Sequence, residues 1–300
     1  MQERREHDGS KGFADPLSRH GHMTDALVET RVERFAAMGT RIELHQFGRA
    51  APDALLAARR AIEAVDDALT IHRPSATTAV NDRLMAGEVA TTEDAVLLDA
   101  LAAIAEAWRA TGGLFDPTVG SGEAAWPAMS IDPGSGRIEA ARPVAFDFGG
   151  FGKGFALDRA AAAMRAAGVT SAFLSAGESS VAVIGDHPLG GAWPIAIPHP
   201  LDPESWLVEL SLRDEALSVS STVGAGAGAP GRSPMIRPSD NMFITAAATT
   251  VAVDASGAAA EAMSTALLVA DVDAIQRMIE AAPTRRFAFA FDDPSRRATA

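Results

Sequence analysis

Four glycines crowd the segment Asp147-Phe148-Gly149-Gly150-Phe151-Gly152-Lys153-Gly154, directly ahead of an alanine-rich helical run. No other stretch limits the fold as tightly. Glycines at the mouth of a helix expose main-chain N–H groups and let a ligand approach the backbone closely. The helix dipole favours an anion there, and Lys153 adds positive charge. This chemistry suits a phosphate or diphosphate; the same residues also read as a tight strand-to-helix turn. Of the 26 basic residues only Lys11 and Lys153 are lysine, so Lys153 is the one lysine beyond the N-terminal tail.

With 300 residues the chain has room for one large domain or two small ones. Apolar residues make up 47% and charged residues 22%, enough apolar surface for a core. Acidic residues outnumber basic ones, 39 to 26, for a formal charge of −13. That charge argues against general binding to nucleic acid or to anionic membranes. The lack of cysteine excludes disulfides, thiolate catalysis, Cys-ligated zinc and iron–sulfur clusters. The start, MQERREHDGSKGF, is charged and lacks the apolar run of a signal peptide. No stretch reads as a membrane span, so the expected location is the cytoplasm.

Residues 1–30 read as a loose polar arm, its His7, His20 and His22 being either solvated or metal-binding. Residues 31–300 read as a single domain. Met38-Gly39-Thr40 leads into a strand over 41–47. Helices are expected from Pro52 to about Leu69, from Thr92 to Ala110 with Gly112-Gly113 as the stop, and over 154–167, 258–270 and 272–282. Strands are expected over 171–175, 181–184, 193–197, 206–212, 216–221, 243–253 and 286–291. Helices and strands mix without regular βα alternation, which points to α+β rather than a doubly wound parallel sheet. The run Gly224–Arg232, rich in Gly and Ala, is expected to be a mobile loop.

Two more segments carry possible chemistry. Gly112-Gly113-Leu114-Phe115-Asp116-Pro117-Thr118-Val119-Gly120 ends a helix and turns; Asp116 before proline is biased to an extended backbone. Read alone it is a capped helix end. Glu261 and Thr265 are four residues apart and share one face of a helix. A carboxylate and a hydroxyl near a phosphate-binding loop make an oxygen-rich site suited to Mg²⁺. The segment reads equally as a helix with an exposed Glu and a Thr bonded to its own backbone.

In this order the segments resemble the ApbE family, the FAD:protein FMN transferases. Met38-Gly39-Thr40, Phe115–Gly120, Asp147–Gly154 and Glu261–Leu267 match the family's Met-Gly-Thr, Phe-Asp-Pro-Thr-Val-Gly, Asp-x-Gly-Gly-x-x-Lys-Gly and Asp-Ala-x-Ser-Thr-Ala-Leu. The resemblance implies a two-lobed α+β fold with mixed sheets and flanking helices, with FAD bound between the lobes and Mg²⁺ on its diphosphate. It also implies transfer of FMN from FAD to a Ser or Thr hydroxyl of an acceptor flavoprotein, releasing AMP. Carried over position by position, Met38, Leu114, Phe115 and Asp116 would line the FAD pocket and Asp147 would contact the cofactor. Gly150, through its carbonyl, and the Glu261 and Thr265 side chains would hold Mg²⁺. Lys153 would face the FAD phosphates and, with Asp147, serve catalysis.

Four departures from the family pattern stand out. The family has Asp where this chain has Glu261, longer by one methylene, or roughly 1.3–1.5 Å. The family's His-x-x-Asp-Pro-x-x-Gly is here Pro234-Met235-Ile236-Arg237-Pro238-Ser239-Asp240-Asn241. Its Asn-x-Gly-Gly-Asp is here Ser175-Ala176-Gly177-Glu178-Ser179. His72 stands near where the family has an aromatic, and would take its place at the cofactor or be a surface histidine. Without the family histidine the general base is left among Asp147, Glu178 and Asp240. Two other functions remain open: an FAD-binding protein without transfer, and a Mg²⁺-dependent FAD hydrolase giving AMP and FMN.

Overall fold

The computed structural model describes residues 29–121, 125–177, 179–224 and 235–291. Most of the expected arm, Glu178 and most of the Gly-Ala loop lie outside the described residues. Strands β1 (Thr30–Ala37) and β2 (Thr40–Phe47) form a hairpin across Met38 and Gly39. Both turn residues have positive φ, 55° and 68°, as a two-residue I′ turn requires. Helices α1 (Ala54–Leu69), α2 (Ala76–Met85) and α3 (Ala95–Ala110) follow, with the short strand β3 (Ala90–Thr91) before α3. Asp94 caps α3 by accepting the Leu97 N–H at 2.8 Å. Strands β4 (Met129–Asp132) and β5 (Arg137–Ala140) join β3 in a small sheet ordered β3-β5-β4.

The second half holds α4 (Gly152–Ala166), β6 (Ser171–Ala176), β7 (Ser180–Gly185), β8 (Trp193–His199), β9 (Asp202–Leu212), β10 (Ala216–Ser221), β11 (Ala248–Asp254), α5 (Gly257–Val269), α6 (Val272–Ala281) and β12 (Arg286–Ala290). The main sheet has seven strands in the order β1-β2-β6-β7-β10-β11-β12. Every pairing in it is antiparallel, so the expected mixed sheets are antiparallel among the described strands.

Period-two alternation sends the side chains of this sheet to two cores. On β7, Ala182 and Ile184 join Ile42, Leu44 and Leu174 against the helices, with Ile62 and Leu157 in the same cluster. Val181 and Val183 face the other way, joining Phe47, Phe173, Leu217, Val251 and Val253 under the β8–β9 hairpin. Trp193 of that hairpin is fully buried, and its indole N–H donates to the Gly185 carbonyl at 3.1 Å. Burying each such side chain contributes about 1.5–3 kcal/mol. Covered on both faces, β6 and β7 read as near-continuous apolar runs. Among the described residues no helix is long and apolar enough to cross a membrane.

The α+β expectation holds, and most elements lie within a few residues of their expected ends. The strand expected over 243–253 begins only at Ala248; Phe243 makes an isolated bridge to Ile236. The sequence reading assigned no element to β1, α2 or the three short strands of the small sheet.

Candidate functional site

The glycine segment opens α4, as its composition suggested. Phe148 O accepts the N–H groups of Phe151 and Gly152, at 3.0 and 2.7 Å, which turns the chain into the helix. Asp147 is half-buried; its Oδ1 accepts the Gly149 N–H at 2.8 Å, and its own N–H donates to Pro117 O at 2.8 Å. The Phe115–Pro117 turn and the glycine segment are therefore adjacent. Phe115 is buried and stacks on Phe151 at 6.1 Å between ring centres. Leu114 beside it is half-buried.

Asp116 is buried and holds its own turn. Its Oδ1 accepts from the N–H and the hydroxyl of Thr118, and its Oδ2 accepts the Trp126 N–H at 3.3 Å. Asp116 thus shapes the loop that presents Phe115. Asn81, on the unexpected helix α2, bonds both main-chain groups of Phe146, at 2.8 and 2.9 Å, and fixes the start of the glycine segment.

Met38 reaches the same place from the sheet. Its methyl carbon would lie 2.8 Å from a Cβ on Gly152, so the Met38 side chain packs directly against the glycine segment. Its positive φ, uncommon for a residue with a side chain, is held by an N–H bond to Asp66 Oδ1 at 2.9 Å. His72 is exposed in the loop between α1 and α2.

Helix α5 brings the third segment in. It crosses α4 where Gly154 meets Gly257: a Cβ on Gly154 would lie 2.0 Å from the Gly257 carbonyl oxygen. Asp158 of α4 locks this crossing. Its carboxylate accepts the Gly257 and Ala258 N–H groups and the Ser256 hydroxyl, at 2.6, 3.0 and 2.7 Å, capping α5 at its N-terminus. Burial pushes the Asp158 carboxyl above its ordinary range, these bonds oppose that shift, and the Glu261 charge adds to it.

The crossing sets Glu261 against Lys153. Lys153 Nζ lies 2.9 Å from Glu261 Oε1, with the two side chains 23% and 3% exposed. Ser180 of β7 donates its hydroxyl to the same oxygen. Glu261 Oε2 is buried and has no hydrogen-bond partner among the described residues. Thr265 follows one turn on, the one half-exposed position in α5 between Ala260 and Val269. A Cβ on Gly150 would lie 3.0 Å from Thr265 Oγ1 and 3.5 Å from the Phe115 ring. The expected metal set, Gly150, Glu261 and Thr265, is thus drawn to one place beside Lys153.

Among the described residues no cluster of three or more imidazoles and carboxylates exists. The donors gathered here are one carboxylate, one hydroxyl and main-chain oxygen, a hard set that fits Mg²⁺ better than a softer metal. The stretch over 235–241 is tied to the end of α5. Arg237 donates to Val269 O at the C-terminal end of α5 and pairs with Asp240, each at 2.9 Å. A cation at a helix C-terminus complements its dipole. Two shallow surface depressions of about 500 and 460 Å³ are present, one by His187 and Arg213, the other at the β1–β2 turn by Arg34, Gly39 and Thr40.

Sequence reading missed Asp158, Ser180, Asn81 and Asp66. A cap signal was present for α5 in Ser256, just ahead of the helical run. Nothing local marks a carboxylate that caps a helix about a hundred residues away in the chain.

Solved structures share this fold. The ApbE protein from Thermotoga maritima superimposes with a TM-score of 0.75 at 18% identity, over 87% of this chain and 94% of that one. The flavinyl transferase ApbE of Pseudomonas stutzeri, in its apo form, gives 0.74 at 20%, over 89% and 94%. The flavin transferase ApbE of Vibrio cholerae gives 0.72 at 17%, over 88% and 97%. No curated protein matches in a sequence search. The ApbE family model matches residues 38–289, nearly the whole described chain, and the chain belongs to that family.

Proposed function

We propose that this chain transfers FMN from FAD to a Ser or Thr hydroxyl of an acceptor protein, with Mg²⁺ at the FAD diphosphate and AMP as the leaving group. One observation carries the reading. Two segments about a hundred residues apart in sequence bring Gly150 and Lys153 beside Thr265 and Glu261, and Glu261 Oε2 is buried without a partner among the described residues. An unpartnered buried carboxylate oxygen is costly unless a ligand takes it up. Glu261 Oε2, Thr265 Oγ1 and the Gly150 carbonyl would hold the ion, which when bound would neutralise charge on the diphosphate.

The chain's own groups supply the rest. Met38, Leu114 and Phe115 offer apolar surface to the cofactor around the glycine segment. Lys153 stabilises negative charge that grows on the phosphate oxygens. The acceptor oxygen bonds to the phosphorus of the FMN half as the bond to the AMP oxygen breaks. The hydroxyl proton passes to a carboxylate, and Asp147 is the one we assign: Gly149 holds its Oδ1, leaving Oδ2 to accept. Positioning and charge neutralisation carry most of such a reaction.

The test is product analysis with FAD, MgCl₂ and Ser/Thr-containing acceptor protein. Flavin on protein together with AMP supports transfer. Free FMN with AMP means hydrolysis, and no product at all means a carrier. The Arg237–Asp240 pair, in the stretch where the family has its histidine, is the observation that favours the carrier as the second reading.

A further inference from the structure

Glu261 presents its two oxygens unequally. A carboxylate oxygen has two lone-pair sites. Oε1 accepts from both Lys153 Nζ and Ser180 Oγ, so both of its sites are filled from inside the protein. Oε2 accepts from nothing among the described residues. Ser180 is itself buried within the main sheet. It is 1% exposed and sits on β7 opposite Ser218 of β10. Ser218 Oγ lies 3.0 Å from Ser264 Oγ, which lies 3.0 Å from the main-chain carbonyl of Glu261. Buried hydroxyls therefore tie Glu261 to the sheet at both its side chain and its backbone.

We infer that Ser180 is a positioning residue that, with Lys153, restricts Glu261 to one free oxygen and so selects against cations that grip a carboxylate with both. The inference rests on the Mg²⁺ reading above. Ca²⁺ takes six to eight oxygens and readily binds carboxylates bidentately, whereas Mg²⁺ keeps a strict octahedron and takes one oxygen from each. A cation drawing on Oε1 must displace an ammonium or a hydroxyl. Ser180 also answers the extra methylene of Glu261: the longer side chain reaches the β7 hydroxyl, and that contact fixes its free oxygen.

The test is calorimetric titration of the FAD-saturated protein with MgCl₂ and, separately, CaCl₂, for the wild type and Ser180→Ala. Wild type is expected to prefer Mg²⁺. Ser180→Ala is expected to raise the ratio of Ca²⁺ to Mg²⁺ affinity about tenfold, as loss of one hydrogen bond to a charged group allows. Ser180→Thr keeps the donor and should keep the wild-type ratio. Should the alanine variant fail to fold, Ser180→Cys, similar in volume and a weak donor, should shift the ratio in the same direction. Equal losses of both affinities, or an unchanged ratio, would overturn the role of Ser180 and leave the metal reading standing. A wild type that binds neither cation would overturn the metal reading itself, and this inference with it.

Discussion

Gly154 and Gly257 meet where α4 crosses α5, and neither has room for a Cβ. One on Gly154 would lie 2.0 Å from Gly257 O, and one on Gly257 would lie 2.6 Å from Gly154 O. Backbone cannot yield as a flexible side chain can. Gly154→Ala should therefore cost about 1–3 kcal/mol or more of stability and weaken FAD binding, because the crossing sets Glu261 against Lys153. Gly120→Ala is the control, since nothing lies within 4 Å of a Cβ there. Denaturant unfolding of both variants checks the contrast.

Lys153→Ala removes the partner of a nearly buried carboxylate. A loss of about 2 kcal/mol is expected, together with a fall in turnover. Lys153→Ala combined with Glu261→Gln should recover part of the stability and none of the turnover. Recovery of both would return the pair to a purely structural role.

Thr265 is half-exposed while its neighbours on α5 are buried, so its hydroxyl can be removed with little effect on packing. Thr265→Val should change stability by under about 0.5 kcal/mol. It should nonetheless weaken FAD binding in the presence of Mg²⁺. FAD affinity measured with MgCl₂ and with a chelator separates the two; the variant should lose the difference between them.

Asp158 gives a pH dependence. Its carboxyl is raised above the ordinary range by burial, so the folded state holds this proton more tightly than the unfolded chain does. Its contribution to stability is then greatest below the ordinary carboxylate value and falls as pH rises through the raised folded value. Measured against Asp158→Asn, wild-type stability should slope downward with rising pH over that interval. An upward slope would mean the three capping bonds outweigh burial.

The sequence readily yields the elements that carry local signals. The Gly112-Gly113 stop after α3 and the strand over 41–47 are visible without coordinates. The hairpin strand β1 is not, because its residue types do not follow its alternating exposure: Val32 is exposed while Arg31 and Glu33 are half-buried, and its polar residues resemble a tail. The site is legible only as a set of residue types in order. That Glu261 would meet Lys153 depends on a helix crossing set by two glycines and by Asp158. That Glu261 would also bond Ser180 depends on sheet register, and no local pattern encodes either. Asp116 shows the opposite limit. The family resemblance put it in the cofactor pocket, and in the structure its two oxygens hold the turn that presents Phe115.

Fluorescence titration of FAD into the purified protein, with MgCl₂ and then with a chelator in its place, tests the central claim most directly. The account predicts saturable binding that weakens markedly when Mg²⁺ is withdrawn. Binding of equal strength in both conditions would contradict a metal held by Glu261 and Thr265, and absence of binding would contradict the flavin site altogether.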